Sequence, residues 1–317
     1  MTRVLCFGGA VMDFVPAGPD QWQGRAGGSA WNVARVLASL GLSAAFVGTL
    51  SHDPFGERLI REGEAGGLDL HFAPRTEAPT ALSVIHRTDP AQYVFYAHQA
   101  ADAQFSAPAA PLWTASLPDQ AGGQTQAVAA YFGGITLMRD PARAAFLPLA
   151  REARARSLTV VYDPNFRSQL AGAYREAFKE FVPLAHLIKV SEDDLTGLMP
   201  NLTPAEGLQY LRTLNPEATI LLTLGERGAR LLTPQADLVH AGYRVRVADT
   251  VGAGDASIVA LLYATLRAPP LPPPQVLAFA LACAAAACTR PGAHAPTLDD
   301  IYAVQKLHST PQEARHD

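Results

Sequence analysis

Short apolar runs of strand length alternate with segments of helical period along most of this 317-residue chain. The strand-like runs, apolar on both faces and rich in β-branched or aromatic residues, cover 3–9, 43–50, 126–134, 158–165, 186–191 and 219–225. The helix-like segments cover 29–41, 53–67, 140–157 and 203–215. Several begin with Ser, Asp or Thr, side chains that cap the free amides at a helix start. This order predicts an α/β fold in which helices cover both faces of a parallel sheet.

Two regions depart from this alternation. Residues 10–18, and the pair 80–87 and 92–98 joined by a turn-forming TDPA, show strand patterning with no helix between them. We expect them to form a small antiparallel sheet beside the main one. Residues 103–126 are rich in Pro, Gln, Ser and Gly, which indicates that part of the segment is a surface loop. Residues 269–274, PPLPPP, predict a stiff connector between two helices.

The composition describes a chain that can bury a large core and has no strong charge field. Apolar residues make up 49% of it and the formal net charge is −4, which argues against nucleic acid or an anionic membrane as partner and favours a small ligand. Cys283 and Cys288 lie in an alanine-rich run, where burial is expected, and without histidines at ligand spacing we predict no metal site there. The amino-terminal apolar run is too short for a signal peptide or a membrane span, so we expect a cytoplasmic protein.

The segment 249–266, DTVGAGDASIVALLYATL, places glycines directly before an aspartate and an apolar helix. Gly252 and Gly254 allow positive φ and remove side chains that would block a ligand. If the helix begins near Asp255, its free amides and positive dipole end create an anion site. From this segment alone, Asp255 fits a helix cap and a catalytic group equally well.

DTVGAGD at 249–255, together with the glycine-rich segment GGSAWNVARVLASLGLSAAFVGTLSHDPFGERL at 27–59, resembles the two signatures of the ribokinase/PfkB family of ATP-dependent carbohydrate kinases. The similarity extends from about residue 4 to about residue 298, and it is nearest to the fructokinase-like members. It implies a ribokinase-like α/β domain spanning 1–317, with a mostly parallel central sheet and a small β-sheet lid. The lid strands would lie at approximately 10–26 and 73–104.

The resemblance also implies a role for individual residues. Asp255 would accept the proton of a sugar hydroxyl, while the amides of 252–255 hold the transferred phosphoryl group. The catalytic set is Asp255, Gly252, Ala253 and Gly254. The sugar-binding set is Asp13, Gly27, Gly28, Asn32 and Arg167. The nucleotide-binding set is Thr223, Gly225, Gly228, Ser191 and Asp194.

Taken one at a time, several of these residues have plainer interpretations. Gly27 and Gly28 also fit an ordinary loop, and Asn32 fits a polar residue on the first turn of a helix. The segment TLGERGA, 223–229, also fits a hairpin turn, and Arg167 a solvated surface arginine. The presence of both motifs in one chain favours the functional interpretation.

Two positions depart from the family pattern. Ala97 stands where fructokinases and 2-keto-3-deoxygluconate kinases commonly have an arginine, so a charged partner for the substrate is missing there. Asp194 stands where the family has glutamate in an element near magnesium and phosphate. These departures leave the sugar and the role of Asp194 open.

The resemblance implies ATP and Mg²⁺ as cofactors, a potassium ion near Asp249 and the loop 288–293, and a homodimer formed through the lid. The acceptor would be a hexose such as fructose; 2-keto-3-deoxygluconate, ribose or a nucleoside remain alternatives. A second class of function is a non-catalytic sugar or nucleotide sensor on the same scaffold. The intact GAGD motif disfavours it, because a sensor would not need the catalytic residues. A Rossmann dehydrogenase is disfavoured, because no G-x-G-x-x-G follows the first strand.

Overall fold

The computed structural model of the protein describes residues 2–88, 91–106, 112–113 and 126–309. The strands found there are β1 (Thr2–Phe7), β2 (Val11–Gly18), β3 (Gln21–Gly27), β4 (Ser43–Val47), β5 (Leu50–Ser51), β6 (Arg75–Thr76), β7 (Ala81–Thr88), β8 (Ala91–Tyr96), β9 (Gln126–Gly133), β10 (Thr159–Asp163), β11 (Leu187–Ser191), β12 (Thr219–Thr223), β13 (Ala229–Leu232) and β14 (Asp237–His240). The α-helices are α1 (Ser29–Ser39), α2 (Pro54–Ala65), α3 (Ala142–Ala155), α4 (Ala171–Phe181), α5 (Glu192–Leu198), α6 (Pro204–Leu214), α7 (Ala253–Leu266), α8 (Pro273–Ala287) and α9 (Leu298–Ser309).

The central sheet contains eight of the described strands in the order β14-β13-β12-β11-β10-β9-β1-β4. Every neighbouring pair from β12 to β4 is parallel, which confirms the mostly parallel sheet expected from the sequence. At the other edge, β13 and β14 pair antiparallel. The turn between β12 and β13 is too short for a crossover helix, so the chain must reverse there.

Helices cover both faces of this sheet, as the two-face-apolar strands predict. Along β1, Val4 and Cys6 belong to one buried cluster, which also contains apolar residues of α1, α7 and α8. Leu5 and Phe7 point the other way, into a second cluster with residues of α3, α4 and α6. Because successive side chains of a strand alternate between faces, one short apolar strand contributes to both cores.

Two of the four predicted helix starts agree with the capping residues seen in the sequence, at Asp53 and Thr203, whereas Ser29 and Asp140 do not cap α1 and α3. The Asp53 carboxylate accepts a hydrogen bond from the Gly56 amide at 2.8 Å at the start of α2. At the start of α6, the Thr203 hydroxyl accepts from the Glu206 amide, and the Glu206 carboxylate accepts from the Thr203 amide. These reciprocal bonds satisfy amides that have no partner within the helix.

A separate four-stranded sheet has the order β3-β2-β7-β8. The pairs β2–β3 and β7–β8 are antiparallel, but β2 and β7 are parallel, with Asp13 opposite Ser83. The prediction of a purely antiparallel sheet was therefore wrong at this pair. The chain makes a long excursion through α1, β4 and α2 between them, and it returns in the same direction. We call this four-stranded sheet the lid sheet.

Other sequence predictions meet the structure in part. The turn residues 89–90, and residues 107–111 and 114–125 of the predicted loop, lie outside the described residues. The proline-rich connector joins α7 to α8, whose first turn begins at Pro273, a favourable position for proline. Cys283 is buried, as expected, whereas Cys288 is only partly buried. In the part of the chain that the structure describes, no helix combines the length and the apolar character that crossing a membrane requires.

Candidate active site

A cavity of about 220 Å³ lies between the lid sheet and the central sheet. Gly134, Asn165 and Arg167 line it, and they follow the carboxyl ends of β9 and β10, the edge at which open α/β sheets bind ligands. The lid sheet contributes Val11, Asp13, Ser83, Tyr93 and Phe95. The cavity thus has one wall from each sheet.

Helix α7 begins at the floor of this cavity. Gly252 precedes its first residue with φ 82°, a left-handed conformation that glycine adopts readily. A Cβ at this position would lie 3.0 Å from Ala293, so the site also requires the absence of a side chain. The amides of the first turn have no acceptor within the helix, and Gly252 and Gly254 line the cavity. The floor is therefore suited to an anion.

Asp255 lies in that first turn, but its carboxylate does not cap the helix. Within the described part of the chain, no side chain caps α7. Instead, Oδ1 accepts a hydrogen bond from the Ser29 hydroxyl at 2.7 Å, and Oδ2 accepts one from the Asn32 amide at 2.9 Å. Burial raises the pKa of Asp255, while the bonds from Ser29 and Asn32 act in the opposite direction. Of the two alternatives that the sequence left open, the geometry excludes the cap.

The Ser29 hydroxyl is shared between Asp255 and a buried tyrosine. Its oxygen lies 2.6 Å from the Tyr131 hydroxyl, on the central strand β9. Burial raises the pKa of Tyr131 well above its ordinary value, so this phenol stays protonated. Since Ser29 donates to Asp255, Tyr131 must donate to Ser29, and the three groups form a directed chain that ends at the carboxylate.

Asp13 brings a second carboxylate into the cavity, from the lid side. Burial raises its pKa to about 6. A Cβ at Gly27 would overlap this carboxylate, which gives the glycine a steric reason to be there. Gly28 lines the cavity next to Ser29 with φ 100°. Asp13, Gly28, Arg167 and Asp255 are thus brought together, with Asn32 directly behind Asp255.

Arg167 connects the core to the lid sheet. Its guanidinium lies 5.1 Å from the ring centroid of Tyr93 on β8, a cation–π distance. It also donates to the backbone carbonyls of Asn165 and Phe166. The side chain of Gln169 donates to the carbonyl of Tyr93 at 3.0 Å. The loop after β10 therefore holds the inner face of the lid sheet.

The predicted nucleotide-binding residues do not line the cavity. Ser191 and Thr223 are paired across β11 and β12. Gly225 and Gly228 have φ of 61° and 88° in the turn that follows β12. These four residues are therefore grouped at the ends of two neighbouring strands.

The Asp194 carboxylate accepts hydrogen bonds from nearby backbone amides. Its Oδ1 accepts from the Phe166 amide at 2.8 Å, and its Oδ2 accepts from the Ser191 amide at 2.8 Å. The Ser191 hydroxyl accepts in return from the Asp194 amide, which completes a capping box at the start of α5. Aspartate is long enough for this role, even though the family pattern has glutamate.

Several residues of the site were missed from the sequence: Ser29, Tyr131, Asp163 and Lys189. Lys189 carried a detectable signal, because a charged residue within an otherwise apolar strand needs a partner. Its ammonium lies 3.5 Å from Asp163 Oδ1 and 3.6 Å from Asp194 Oδ2. Burial raises the pKa of Asp163 to about 7, against the lowering influence of Lys189.

Comparison with known proteins identifies the class. The family model described as pfkB family carbohydrate kinase matches residues 1–300, and the chain belongs to this family. It is 30% identical to probable fructokinase-7 of Arabidopsis thaliana, over 98% of this chain and 93% of that protein. It is 31% identical to aminoimidazole riboside kinase of Salmonella typhimurium, over 98% of each chain.

The fold agrees with that of a solved relative. The crystal structure of aminoimidazole riboside kinase from Salmonella enterica, complexed with aminoimidazole riboside and an ATP analog, superposes with a TM-score of 0.82 at 28% identity, over 95% of this chain and 99% of that one. The predicted ribokinase-like fold is thereby confirmed. The chain is a carbohydrate kinase, a phosphotransferase with an alcohol group as acceptor.

Proposed function

We propose that this kinase transfers the γ-phosphoryl group of ATP to a hydroxyl of a hexose, with fructose as the first candidate, and that Asp255 is the catalytic base. The observation that carries the proposal is the position of the Asp255 carboxylate, buried beside the anion-binding first turn of α7 and facing the cavity. Phosphoryl transfer needs positioning and charge stabilisation more than covalent participation by the protein, and this arrangement supplies both.

In the proposed reaction the sugar lies between the two cavity walls. Asp13 accepts hydrogen bonds from sugar hydroxyls, whereas Asn32 does not line the cavity and acts through the hydrogen bond that it donates to Asp255. The reacting hydroxyl gives its proton to Asp255 as its oxygen attacks phosphorus. The amides of residues 252–255 stabilise the negative charge on the phosphoryl oxygens. The lid sheet excludes water, which would otherwise compete as acceptor.

The described residues of this site do not form a protein cage for magnesium. Among the described residues, no group of three or more His, Cys, Asp or Glu side chains lies close enough together to hold a metal ion. Asp194 has both oxygens engaged by backbone amides. We therefore propose that Mg²⁺ would be held by the phosphate oxygens of the nucleotide and by water, and no step above depends on it.

We also propose a potassium ion near Asp249. The Asp249 carboxylate accepts from the Val251 amide at 3.0 Å and from the Gly292 amide at 2.7 Å. It therefore joins the strand-to-helix segment before α7 to the loop after α8. An ion in this region would act on the anion site through these two loops.

The sugar is proposed from the relatives and from the charge of the cavity. Ala97 packs against Val11, Ala81 and Ala100 and brings no charge to the cavity, which argues against an acidic sugar such as 2-keto-3-deoxygluconate. Fructokinases among the relatives favour fructose. A nucleoside is the second candidate, because Tyr93 and Phe95 line the cavity with rings stacked at 6.1 Å and offer an aromatic surface to a heterocycle.

A coupled assay of ATP consumption across fructose, ribose, tagatose, 2-keto-3-deoxygluconate and aminoimidazole riboside tests this assignment. We expect the highest kcat/KM with fructose. A preference for aminoimidazole riboside would select the nucleoside candidate. No phosphorylation of any of these alcohols, combined with ATP or sugar binding, would favour the sensor and contradict the proposal.

We further propose that the chain forms one kinase domain and acts in the cytoplasm, where ATP is available. We also propose that two copies form a homodimer through the lid sheet. Since Tyr93 and Phe95 line the cavity, Val94 and Tyr96 point to the opposite face, where they are 42% and 64% exposed. Light scattering on the parent and on Tyr96→Ser tests the dimer. A parent that is monomeric at assay concentrations would contradict it.

A further inference from the structure

Lys189 places a full positive charge next to the anion site. It lies on β11, its side chain is only 7% exposed, and it lines the same cavity as Gly254 and Asp255. A Cβ at Gly254 would lie 3.0 Å from the Lys189 ammonium. No residue larger than glycine fits between this ammonium and the first turn of α7 without movement.

The two carboxylates beside Lys189 orient its ammonium group but do not use all of its hydrogen-bond donors. The ammonium lies 3.5 Å from Asp163 and 3.6 Å from Asp194. Charge-assisted hydrogen bonds of this kind are normally about 2.7–2.9 Å long. The Asp194 carboxylate accepts hydrogen bonds from the amides of Phe166 and Ser191, and the Asp163 carboxylate accepts one from the amide of Asn165. An ammonium has three donors, so donor capacity remains for a ligand in the cavity.

Lys189 is charged despite its burial. Burial alone would lower its pKa, but Asp163 and Asp194 outweigh this effect and raise the pKa above its ordinary value. A buried cation with only long contacts to its counter-ions is poorly compensated. An anion at the floor of the cavity would complete its environment.

We propose that the Lys189 ammonium donates a hydrogen bond to an oxygen of the phosphoryl group in transfer, opposite the amides of α7. This inference rests on the proposed function, to which it adds a catalytic residue. The bond from the γ-phosphorus to the bridging oxygen breaks with its electron pair going to ADP, while the sugar oxygen bonds to phosphorus and its proton goes to Asp255. Lys189 keeps its proton throughout, and its charge offsets the charge on the phosphoryl oxygens.

The competing explanation is that Lys189 only neutralises two buried carboxylates. Lys189→Met tests the catalytic role, and the double variant Lys189→Met with Asp163→Asn tests the competing one, because it removes Lys189 together with one of the two carboxyl groups that it contacts. Asp163→Asn alone is the matched control. For each variant, kcat and KM are measured with the accepted sugar, and thermal unfolding with the free protein.

We expect Lys189→Met to lower kcat by about 100-fold to 1,000-fold, as for other lost donors to a developing anion, with the sugar KM within about threefold of the parent. The double variant should regain much of the lost thermal stability but not the lost kcat. Recovery of kcat in the double variant to the level of Asp163→Asn would overturn the proposal.

A binding experiment separates this inference from the proposed function. Calorimetry with Mg-ADP and fluoroaluminate, which mimics the phosphoryl group in transfer, needs no knowledge of the preferred sugar. The parent should bind fluoroaluminate in the presence of ADP, and Lys189→Met should lose this binding while still binding ADP. Equal binding by both proteins would overturn the role of Lys189 alone. Absence of binding by the parent would count against the phosphoryl-transfer site and hence against both proposals.

Discussion

The hydroxyl of Ser29 donates a hydrogen bond to the carboxylate of Asp255 at 2.7 Å, joining residues 226 positions apart in the chain. The start of α1 and the start of α7 thus meet at one carboxylate. This contact stabilises the charged form of Asp255 and opposes the upward shift of its pKa that burial causes.

Ser29→Ala should move the acidic limb of the pH–rate profile to higher pH. A base must be ionised to accept a proton, so activity falls as the pH drops through the pKa of Asp255. Without the Ser29 bond that pKa rises further, and activity is lost at a higher pH than in the parent. The measurement is kcat at saturating sugar between pH 5 and 9, which keeps the effect of Asp13 on the sugar KM out of the profile. Ser39→Ala, on the same helix and bonded only to backbone carbonyls, is the control and should leave the limb in place. An acidic limb at the same pH in Ser29→Ala and in the parent would show that the Ser29 hydrogen bond does not lower the pKa of Asp255.

Asp255→Asn should lower kcat by two to four decades and leave ATP and sugar binding largely intact. General base catalysis contributes about 100-fold to 10,000-fold, and the amide has no comparable basicity. Its shape is preserved, because the asparagine oxygen can still accept from Asn32 and its NH₂ can donate to the Ser29 oxygen. Steady-state kinetics and calorimetry check both halves of the expectation. Turnover close to that of the parent would remove Asp255 from the mechanism.

Asp13→Asn should raise the KM for the sugar at least tenfold, with a smaller change in kcat. The parent should also bind sugar less well as the pH falls through about 6, the pKa of Asp13, because the protonated carboxyl accepts fewer hydrogen bonds. In the variant, this pH dependence of KM should disappear. A sugar KM that is flat across pH 6 in the parent would show that Asp13 does not act as an ionised acceptor.

Gly252→Ala should destabilise the fold and reduce activity together. Left-handed backbone costs a residue with a Cβ about 1–2 kcal/mol, and the contact with Ala293 adds to this. Gly41→Ala is a matched control, since Gly41 has the same φ of 82° with no atom within 4 Å of the added Cβ. The difference in unfolding free energy, measured in denaturant, isolates the contact and should be about 1 kcal/mol or more. Only Gly252→Ala should lower kcat. Equal destabilisation and full activity in both variants would contradict the steric argument.

The sequence predicts most strands of the central sheet and several of the helices that cover it, because local hydrophobic periodicity determines both. The start of α7 was also predictable, since the glycines and the apolar run are local signals. The parallel pairing of β2 with β7 was not, because strand direction depends on the path of the chain between them.

Some residues of the site could not be predicted from the sequence, because their roles depend on contacts between distant segments of the chain. Nothing near Ser29 or Tyr131 indicates that they meet Asp255, because the three lie on elements brought together only by packing. Asp163 lies at the end of β10, and no role was predicted for it. Thr223 and Gly228 were predicted from a motif, and they do not line the cavity.

The division of the cavity between two sheets has an evolutionary consequence. On the proposed chemistry, the reacting groups belong to the central sheet and α7, while Ser83, Tyr93 and Phe95 of the lid sheet shape the wall against the acceptor. Substitutions in this short stretch of chain can alter which alcohol fits and leave the phosphoryl-transfer machinery unchanged. New substrates are therefore accessible to descendants of this enzyme through substitutions on the lid sheet.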